Sequence, residues 1–118
     1  MKNSEILINA KKLIEKPENW TKKYLAKDSF GYKVEPLSEK AVCFCSVGAV
    51  KRASGFHDRN ADSVYNHECV LLLNEALLQL EFYQHGVIWL FNDRFDTEHE
   101  KVIKVFDKAI EIAKEQEQ

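Results

Sequence analysis

Apolar side chains recur with helical spacing in four stretches of the chain. The first spans about residues 4–16, the second about 38–54, the third about 62–84, and the fourth begins after Thr97. In each stretch the apolar positions lie three or four residues apart, which places their side chains on one face of a helix. The third stretch is the most apolar, so we expect it to be the central helix. The pattern predicts an all-α fold, a compact domain of four to five helices.

Residues typical of helix ends flank these stretches. Ser4 and Ser38 are predicted N-caps because a hydroxyl oxygen there can accept a bond from a free backbone amide. Thr97 and Glu100 have the spacing of a capping box, in which each side chain bonds the backbone amide of the other residue. Gly55 lies where a left-handed residue would end the second helix, and Gly86 is expected to end the third.

Two features inside the pattern affect how elements pack. Gly48 lies within the second predicted helix, where its small size favours the close approach of a neighbouring element. The apolar run Val87–Phe91 is bounded by Gly86 and by Asn92-Asp93. This run is either a buried strand or one more helical turn, because periodicity alone does not distinguish the two. The predicted fold therefore includes at most one short extended element.

The connection from Trp20 to Pro36 is too polar and too interrupted for a long helix. Within it, Asp28-Ser29-Phe30-Gly31 has the composition of a turn. Tyr24, Phe30 and Tyr32 cluster around this turn. If these rings are exposed they form a partner surface, since aromatic residues are enriched at interface hot spots. If they are buried they cover one end of the helical core.

Length and charge narrow the class of protein. The chain has 118 residues, which predicts a single domain over residues 1–118. The 17 Lys and Arg residues face 19 Asp and Glu residues, giving a net charge of −2. We therefore expect no general nucleic-acid binding, which requires a basic excess. Residues 1–27 carry seven Lys and three acidic residues, whereas residues 97–118 carry four Lys and six acidic residues, which suggests a molecule that is polar from end to end.

Compartment and cofactor chemistry are predicted from the apolar runs and the cysteines. No apolar run reaches the roughly 18 residues that span a bilayer, and the N-terminus is not typical of a signal peptide. The three cysteines are an odd number, which argues against a disulfide framework. We therefore predict a cytoplasmic protein with reduced thiols and no membrane association.

The cysteines are also candidate metal ligands and nucleophiles. Cys43 and Cys45 are one residue apart on a predicted helix, so their side chains point about 200° apart. We therefore predict no metal site and no cofactor. Cys45 together with His57 or His67 and an Asp could imitate a thiol-hydrolase site, but the local sequence of no cysteine-hydrolase family surrounds it. The sequence accordingly predicts no catalytic residue.

The strongest candidate for a ligand site is Asn92-Asp93-Arg94, directly before the fourth helix. Asn and Asp in turns commonly bond the backbone, so a structural role is the first interpretation. The alternative is a site for a small anionic ligand, because Arg94 offers two parallel donors to a phosphate or carboxylate. Arg52 and the loop residues His57 and Arg59 join this corner if the second and fourth helices pack together. The aromatic residues expected to supply a stacking face there are Trp89, Phe91 and Phe95.

A series of short motifs follows in order along the chain. It contains a Trp, an A-x-D-x-x-G turn, F-C-x-x-G-A-x-x-R-A on a helix, an aromatic-Asn-Asp motif, and a Thr-capped helix ending in A-I-x-x-A. This order resembles an uncharacterised small domain family of bacterial and phage-type proteins. The matching residues are Trp20, Ala26, Asp28, Gly31, Phe44, Cys45, Gly48, Ala49, Arg52, Ala53, Phe91, Asn92, Asp93, Thr97, Val102, Ala109, Ile110 and Ala113. The resemblance spans about residues 20–113 and implies a small bacterial or viral domain, without an activity.

Two functions follow as predictions. The first is a small non-enzymatic binding or interaction module with an unknown protein partner or a second copy of itself, in a bacterial or phage regulatory or host-interference role. The alternative is a binding protein for a small nucleotide- or anion-like ligand, or a hydrolase, that uses the Asn92-Asp93-Arg94 corner.

Overall fold

The computed structural model describes residues 1–55 and 61–118. Within these ranges the chain forms five α-helices and one small antiparallel sheet, which confirms the predicted mainly α fold. The helices are α1 (Asn3–Ile14), α2 (Ser46–Ser54), α3 (Glu68–Leu80), α4 (Ile88–Asp93) and α5 (His99–Gln116), and the strands are β1 (Ala26–Lys27) and β2 (Cys43–Phe44). Single 3₁₀ segments lie at Pro17–Asn19 and Ala61–Asn66.

The helices bury their apolar faces in one shared core. Helix α1 packs against α2 and α5, and α5 packs in turn against α3. Leu7 on α1, Leu73 on α3 and Phe106 on α5 are among the side chains that are fully buried there. Helix α3 packs most extensively against α5 and also contacts α1, α2 and α4, in line with the prediction that the third helix is central.

Helix α2 begins eight residues later than predicted. Phe44 pairs with Ala26 across the two strands, so the chain before α2 is extended rather than helical. Cys45 is the N-cap, and its Sγ accepts a hydrogen bond from the amide of Gly48 at 3.3 Å. The prediction of an N-cap at Ser38 is therefore wrong, since backbone pairing with β1 overrides the helical periodicity of residues 38–45.

Helix α3 is shorter at both ends than its apolar pattern predicts. Its first predicted turns form the 3₁₀ segment Ala61–Asn66, and α3 ends at Leu80. Glu81 takes the left-handed C-cap position, with φ of 58°. Gly86 lies beyond the helix in a separate turn, where its φ is 60°, so it does not end α3 as predicted.

The run Val87–Phe91 is helical, not a strand, because α4 covers residues 88–93. The hydroxyl of Thr97 donates to the carbonyl oxygen of Phe91 at 2.6 Å and so closes the end of α4. Glu98 is the N-cap of α5 and makes no side-chain capping bond. The predicted capping box at Thr97 is therefore absent from this helix start.

The two ends of the chain are joined side by side. Glu117, just after α5, accepts hydrogen bonds from the backbone amide and the hydroxyl of Ser4 at 3.1 and 2.6 Å. Lys11 on α1 pairs with Asp107 on α5 at 2.7 Å. The basic start and the acidic end of the chain thus compensate one another, so the predicted end-to-end separation of charge does not occur between these two helices.

Candidate functional site

Asn92 lies at the end of α4 and is fully buried. Its Oδ1 accepts hydrogen bonds from the indole N–H of Trp20 at 2.8 Å and from the amide and hydroxyl of Ser46 at 3.1 and 2.6 Å. Its Nδ2 donates to the carbonyl of Thr21 at 3.1 Å and to Asp93 Oδ1 at 3.0 Å. Both N–H donors and the oxygen acceptor of the Asn92 side chain are therefore hydrogen-bonded within the protein. These bonds connect three segments, namely the end of α4, the connection that begins at Trp20, and the start of α2.

Asp93 contacts the first connection as well. Its Oδ1 accepts a hydrogen bond from the backbone amide of Lys23 at 2.8 Å. Lys23 has a φ of 75°, a left-handed conformation that is uncommon for a residue with a side chain. Asp93 thus braces an unusual backbone conformation 70 positions earlier in the chain.

The guanidinium of Arg94 is engaged within its own loop. It donates from Nε and a terminal nitrogen to the two carboxylate oxygens of Asp96, at 3.0 and 3.2 Å. It also lies over the ring of Tyr83, 5.2 Å from the ring centroid. The hydrogen bonds that Arg94 donates to Asp96 raise the pKa of Arg94 and lower the pKa of Asp96.

Arg52 is bound to a different part of the fold. It donates to the carbonyl oxygens of Pro36 and Ser38 at 3.0 and 2.7 Å. It lies six residues beyond Ser46 on α2, about 9 Å along the helix axis from the residue that contacts Asn92. The predicted residues His57 and Arg59 lie outside the described residues. Ligand binding by this set of residues therefore stays a prediction.

A pocket of about 310 Å³ opens beside Asp93. Two lysines and three aromatic residues are among its lining residues, namely Lys23, Lys33, Tyr24, Tyr65 and Trp89. Trp89 and Asp93 belong to the predicted corner, whereas the sequence interpretation missed both lysines and Tyr65. The run Lys22-Lys23-Tyr24 is recognisably basic and aromatic in the sequence, but no sequence pattern indicates that it lies close to Trp89 in the fold.

The thiols of Cys45 and Cys69 are buried structural groups, whereas Cys43 is partly buried. Cys45 reaches the same pocket, and burial raises its pKa to about 11. Burial likewise raises the pKa of Cys69 to about 12. Both therefore remain neutral thiols at pH 7, whereas nucleophiles and metal ligands are thiolates. Over the ranges 1–55 and 61–118, no three His, Cys, Asp or Glu residues are grouped to hold a metal ion.

A second candidate surface is the turn between β1 and β2, which we call the aromatic turn (residues 28–32). Phe30 is 83% exposed and Tyr32 is 71% exposed. Asp28 Oδ1 accepts hydrogen bonds from the amides of both residues at 2.9 Å, and its carbonyl accepts one from Gly31 at 3.0 Å. The φ of Gly31 is 84°, which the turn requires and glycine adopts without strain. The turn predicted at Asp28-Ser29-Phe30-Gly31 is therefore confirmed, and the rings of Phe30 and Tyr32 are exposed on it.

The aromatic turn is also tied to the sheet. The amide of Asp28 donates to the carbonyl of Tyr32 at 2.9 Å, and a backbone bridge joins Lys27 and Lys33. Just before β2, the amide of Val42 donates to the carbonyl of Lys27 at 2.9 Å. The rings are therefore exposed on a hydrogen-bonded scaffold.

A groove of about 560 Å³ between α3 and α5 is the third surface. Leu71 and Leu72 contribute its apolar side, and Glu68 and Glu75 contribute carboxylates. Leu71 is about half exposed, as is Leu78 two turns further along α3. Leu71 and Leu78 form an exposed apolar stripe on the outer face of α3, which is separate from the aromatic turn in the sequence.

Comparison with known proteins places the chain in a family without a described activity. A family model described as a family of unknown function (DUF6197) matches residues 1–112. No curated protein and no solved structure matches the chain. Among the described helices, none combines the length and apolarity needed to cross a bilayer.

Proposed function

We propose that this chain, which belongs to DUF6197, a family of unknown function, is a non-enzymatic binding module. Its contact surface is the aromatic turn, and its partner is another protein. The motif resemblance supports placing this module in a bacterial or phage regulatory or host-interference setting, which is part of the proposal.

The observation that carries the proposal is the exposure of Phe30 and Tyr32 on a fixed backbone. Burying a side chain of this size is worth about 2 kcal/mol, which these two rings forgo in the free protein. Because the turn is held by hydrogen bonds to Asp28, little backbone freedom is lost when a partner covers the rings. Exposed aromatic residues on a preorganised scaffold are typical of interface hot spots.

The charges around the turn favour an acidic partner. Residues 20–34 contain four lysines and a single acidic residue, Asp28. The Asp28 carboxylate faces the amides of its own turn, and the ammonium of Lys27 lies 5.2 Å from the ring centroid of Tyr24. We therefore expect a protein segment with an apolar side chain flanked by Asp or Glu, since complementary charge accelerates and orients association. The overall charge of −2 disfavours a nucleic acid.

A peptide-display selection against the immobilised protein tests this proposal. Enriched peptides should carry Asp or Glu next to a large apolar residue. Their affinity should fall by about tenfold or more when Phe30→Ser or Tyr32→Ser removes a hot-spot ring. Phe95→Ser is the matched control, because Phe95 is 95% exposed but lies in the connection between α4 and α5. This control should bind the selected peptides as the unchanged protein does.

The same variants define the results that would overturn the proposal. All three replace exposed rings, so their unfolding free energies should stay within about 0.5 kcal/mol of the unchanged protein. A selection without enrichment, or peptides that bind Phe30→Ser and Phe95→Ser equally, contradicts the assigned surface. Binding of a single-stranded oligonucleotide that requires Phe30 replaces the protein partner with a nucleic acid. Dimerisation that Phe30→Ser abolishes in light scattering replaces it with a second copy.

A further inference from the structure

We propose that the pocket beside Asp93 binds a small molecule that joins a planar aromatic ring to an anionic group. This site is distinct from the aromatic turn and from the guanidinium groups of Arg52 and Arg94. The observation that supports this proposal is that two lysines and three aromatic side chains line one cavity.

The aromatic walls select a flat apolar ligand. Tyr65 and Trp89 pack edge to face, with ring centroids 4.9 Å apart, and both line the cavity. The volume of about 310 Å³ lies at the lower end of the range for small-molecule sites, about 300–1,000 Å³. The pocket therefore suits a single ring system rather than a large cofactor.

The charged groups select an anion. Lys23 and Lys33 line the pocket and are exposed, while Asp93 contributes the one carboxylate. Asp93 Oδ1 is already bonded to the amide of Lys23 and to Asn92 Nδ2, which draws that oxygen toward the protein. Two ammonium groups against one carboxylate leave a net positive lining. The neutral thiol of Cys45 adds no charge at pH 7.

The walls of the pocket are fixed before a ligand arrives. Asp93 holds Lys23 in its left-handed conformation. The neighbouring Asn92 ties this connection to Ser46 at the start of α2. Non-glycine residues in such conformations persist where the surrounding structure fixes them, and they cluster at ligand-binding sites. A fixed pocket of this kind loses little freedom on binding.

Nuclear magnetic resonance of the ¹⁵N-labelled protein tests the site with adenosine 5′-monophosphate and indole-3-acetate as probes. The chain has two tryptophans, and their indole N–H signals report different places. The Trp89 signal should shift with either probe. The Trp20 signal is an internal reference because its N–H is bonded to Asn92. Adenosine supplies the ring without the anion and phosphate supplies the anion without the ring, so each should bind at least about fivefold more weakly than the nucleotide.

Two lysine variants locate the anionic group. Lys33→Gln should weaken binding of adenosine 5′-monophosphate about fivefold, as expected for one solvent-exposed charge pair. Lys12→Gln, at an exposed position on α1 outside the pocket, should leave the affinity unchanged.

Three results would overturn the proposal: neither probe shifts the Trp89 signal, phosphate binds as tightly as the nucleotide, or Lys33→Gln binds the nucleotide as tightly as Lys12→Gln does. Phe30→Ser should retain nucleotide binding, so failure of this site and failure of the aromatic turn are distinguishable.

Discussion

At the scale of single residues, Asn92 shows how one buried amide can organise a small protein. Its partners Trp20 and Ser46 lie 72 and 46 positions earlier in the chain. Through them, α4 is fastened both to the first connection and to the start of α2. The sequence suggested that Asn92 bonds the backbone, but it could not identify such distant partners because only the packed fold brings them together.

Replacing Asn92 should strongly destabilise the protein. Asn92→Ala leaves the part-buried indole N–H of Trp20 and the buried amide and hydroxyl of Ser46 without their acceptor. Each unsatisfied buried group costs about 1–3 kcal/mol, so we expect a loss of about 3–5 kcal/mol in the free energy of unfolding. Urea denaturation followed by Trp fluorescence measures this loss.

The matched control is Asn9→Ala, at an exposed position on α1, where alanine is the better helix former. Its free energy of unfolding should stay within about 0.5 kcal/mol of the unchanged protein. Similar stability of Asn92→Ala and Asn9→Ala would show that the buried hydrogen bonds of Asn92 do not hold the segments together.

At the scale of elements, periodicity located the helices better than it located their ends. The apolar faces of α1, α3 and α5 were visible in the sequence, because burial of one face imposes that spacing. The start of α2 was missed because β2 pairs with β1, an interaction between segments distant in the chain. The end of α3 was missed because Glu81, not a glycine, takes the left-handed position.

The candidate site, like the helices, was only partly predictable from the sequence. The motif Asn92-Asp93 lies next to the proposed pocket, since Asp93 and Trp89 both line it, and ligand binding there stays a prediction. Lys33 and Tyr65 could not be assigned to it from sequence, because they lie on opposite sides of α2 in the chain. Their meeting depends on how the first connection packs against α4.

Gly48 allows the close approach of Leu25, just before β1, to α2, as its small size led us to expect. A Cβ built on Gly48 would lie 1.8 Å from the carbonyl oxygen of Leu25, so a side chain requires backbone movement. Although alanine is the better helix former, Gly48→Ala should lower the free energy of unfolding by about 3 kcal/mol. Thermal unfolding followed by circular dichroism measures this change.

Gly55→Ala separates steric overlap from backbone strain. Among the described residues, and leaving out the chain neighbours, no atom lies within 4 Å of a Cβ built at Gly55, but its φ is 65°. This variant should therefore lose only about 1 kcal/mol, from the left-handed conformation alone. A Gly48→Ala protein as stable as the unchanged chain would contradict the close approach of Leu25 to α2.

At the scale of the whole molecule, hydrogen bonds join the start of α1 to the residue that follows α5. The N-cap of α1 is Lys2, which makes no side-chain capping bond. The carboxylate of Glu117 instead accepts the amide and hydroxyl protons of Ser4 at that helix start. These hydrogen bonds lower the pKa of Glu117. A carboxylate at this place also interacts favourably with the positive end of the α1 dipole.

The Glu117 contact predicts a pH-dependent contribution to stability. Because the folded-state pKa of Glu117 is lowered, its contribution is present above the ordinary value of 4.5 and is lost as pH falls through the folded-state pKa. Glu117→Gln should therefore be less stable than the unchanged protein at pH 7, and the gap should shrink under acid conditions. Urea denaturation across pH 3–7 measures this gap. Glu115→Gln is the control, and an equal, pH-independent effect of both variants would contradict the contact.

The central claim for the whole molecule is that the aromatic turn presents Phe30 and Tyr32 in one fixed geometry, ready for a partner. Backbone ¹⁵N relaxation of the free protein tests this most directly, because the amides of both residues donate to Asp28. We predict order parameters of about 0.85 at both amides, equal to those of α5. Values below about 0.6 at Phe30 and Tyr32, with α5 rigid, would contradict a preorganised binding surface.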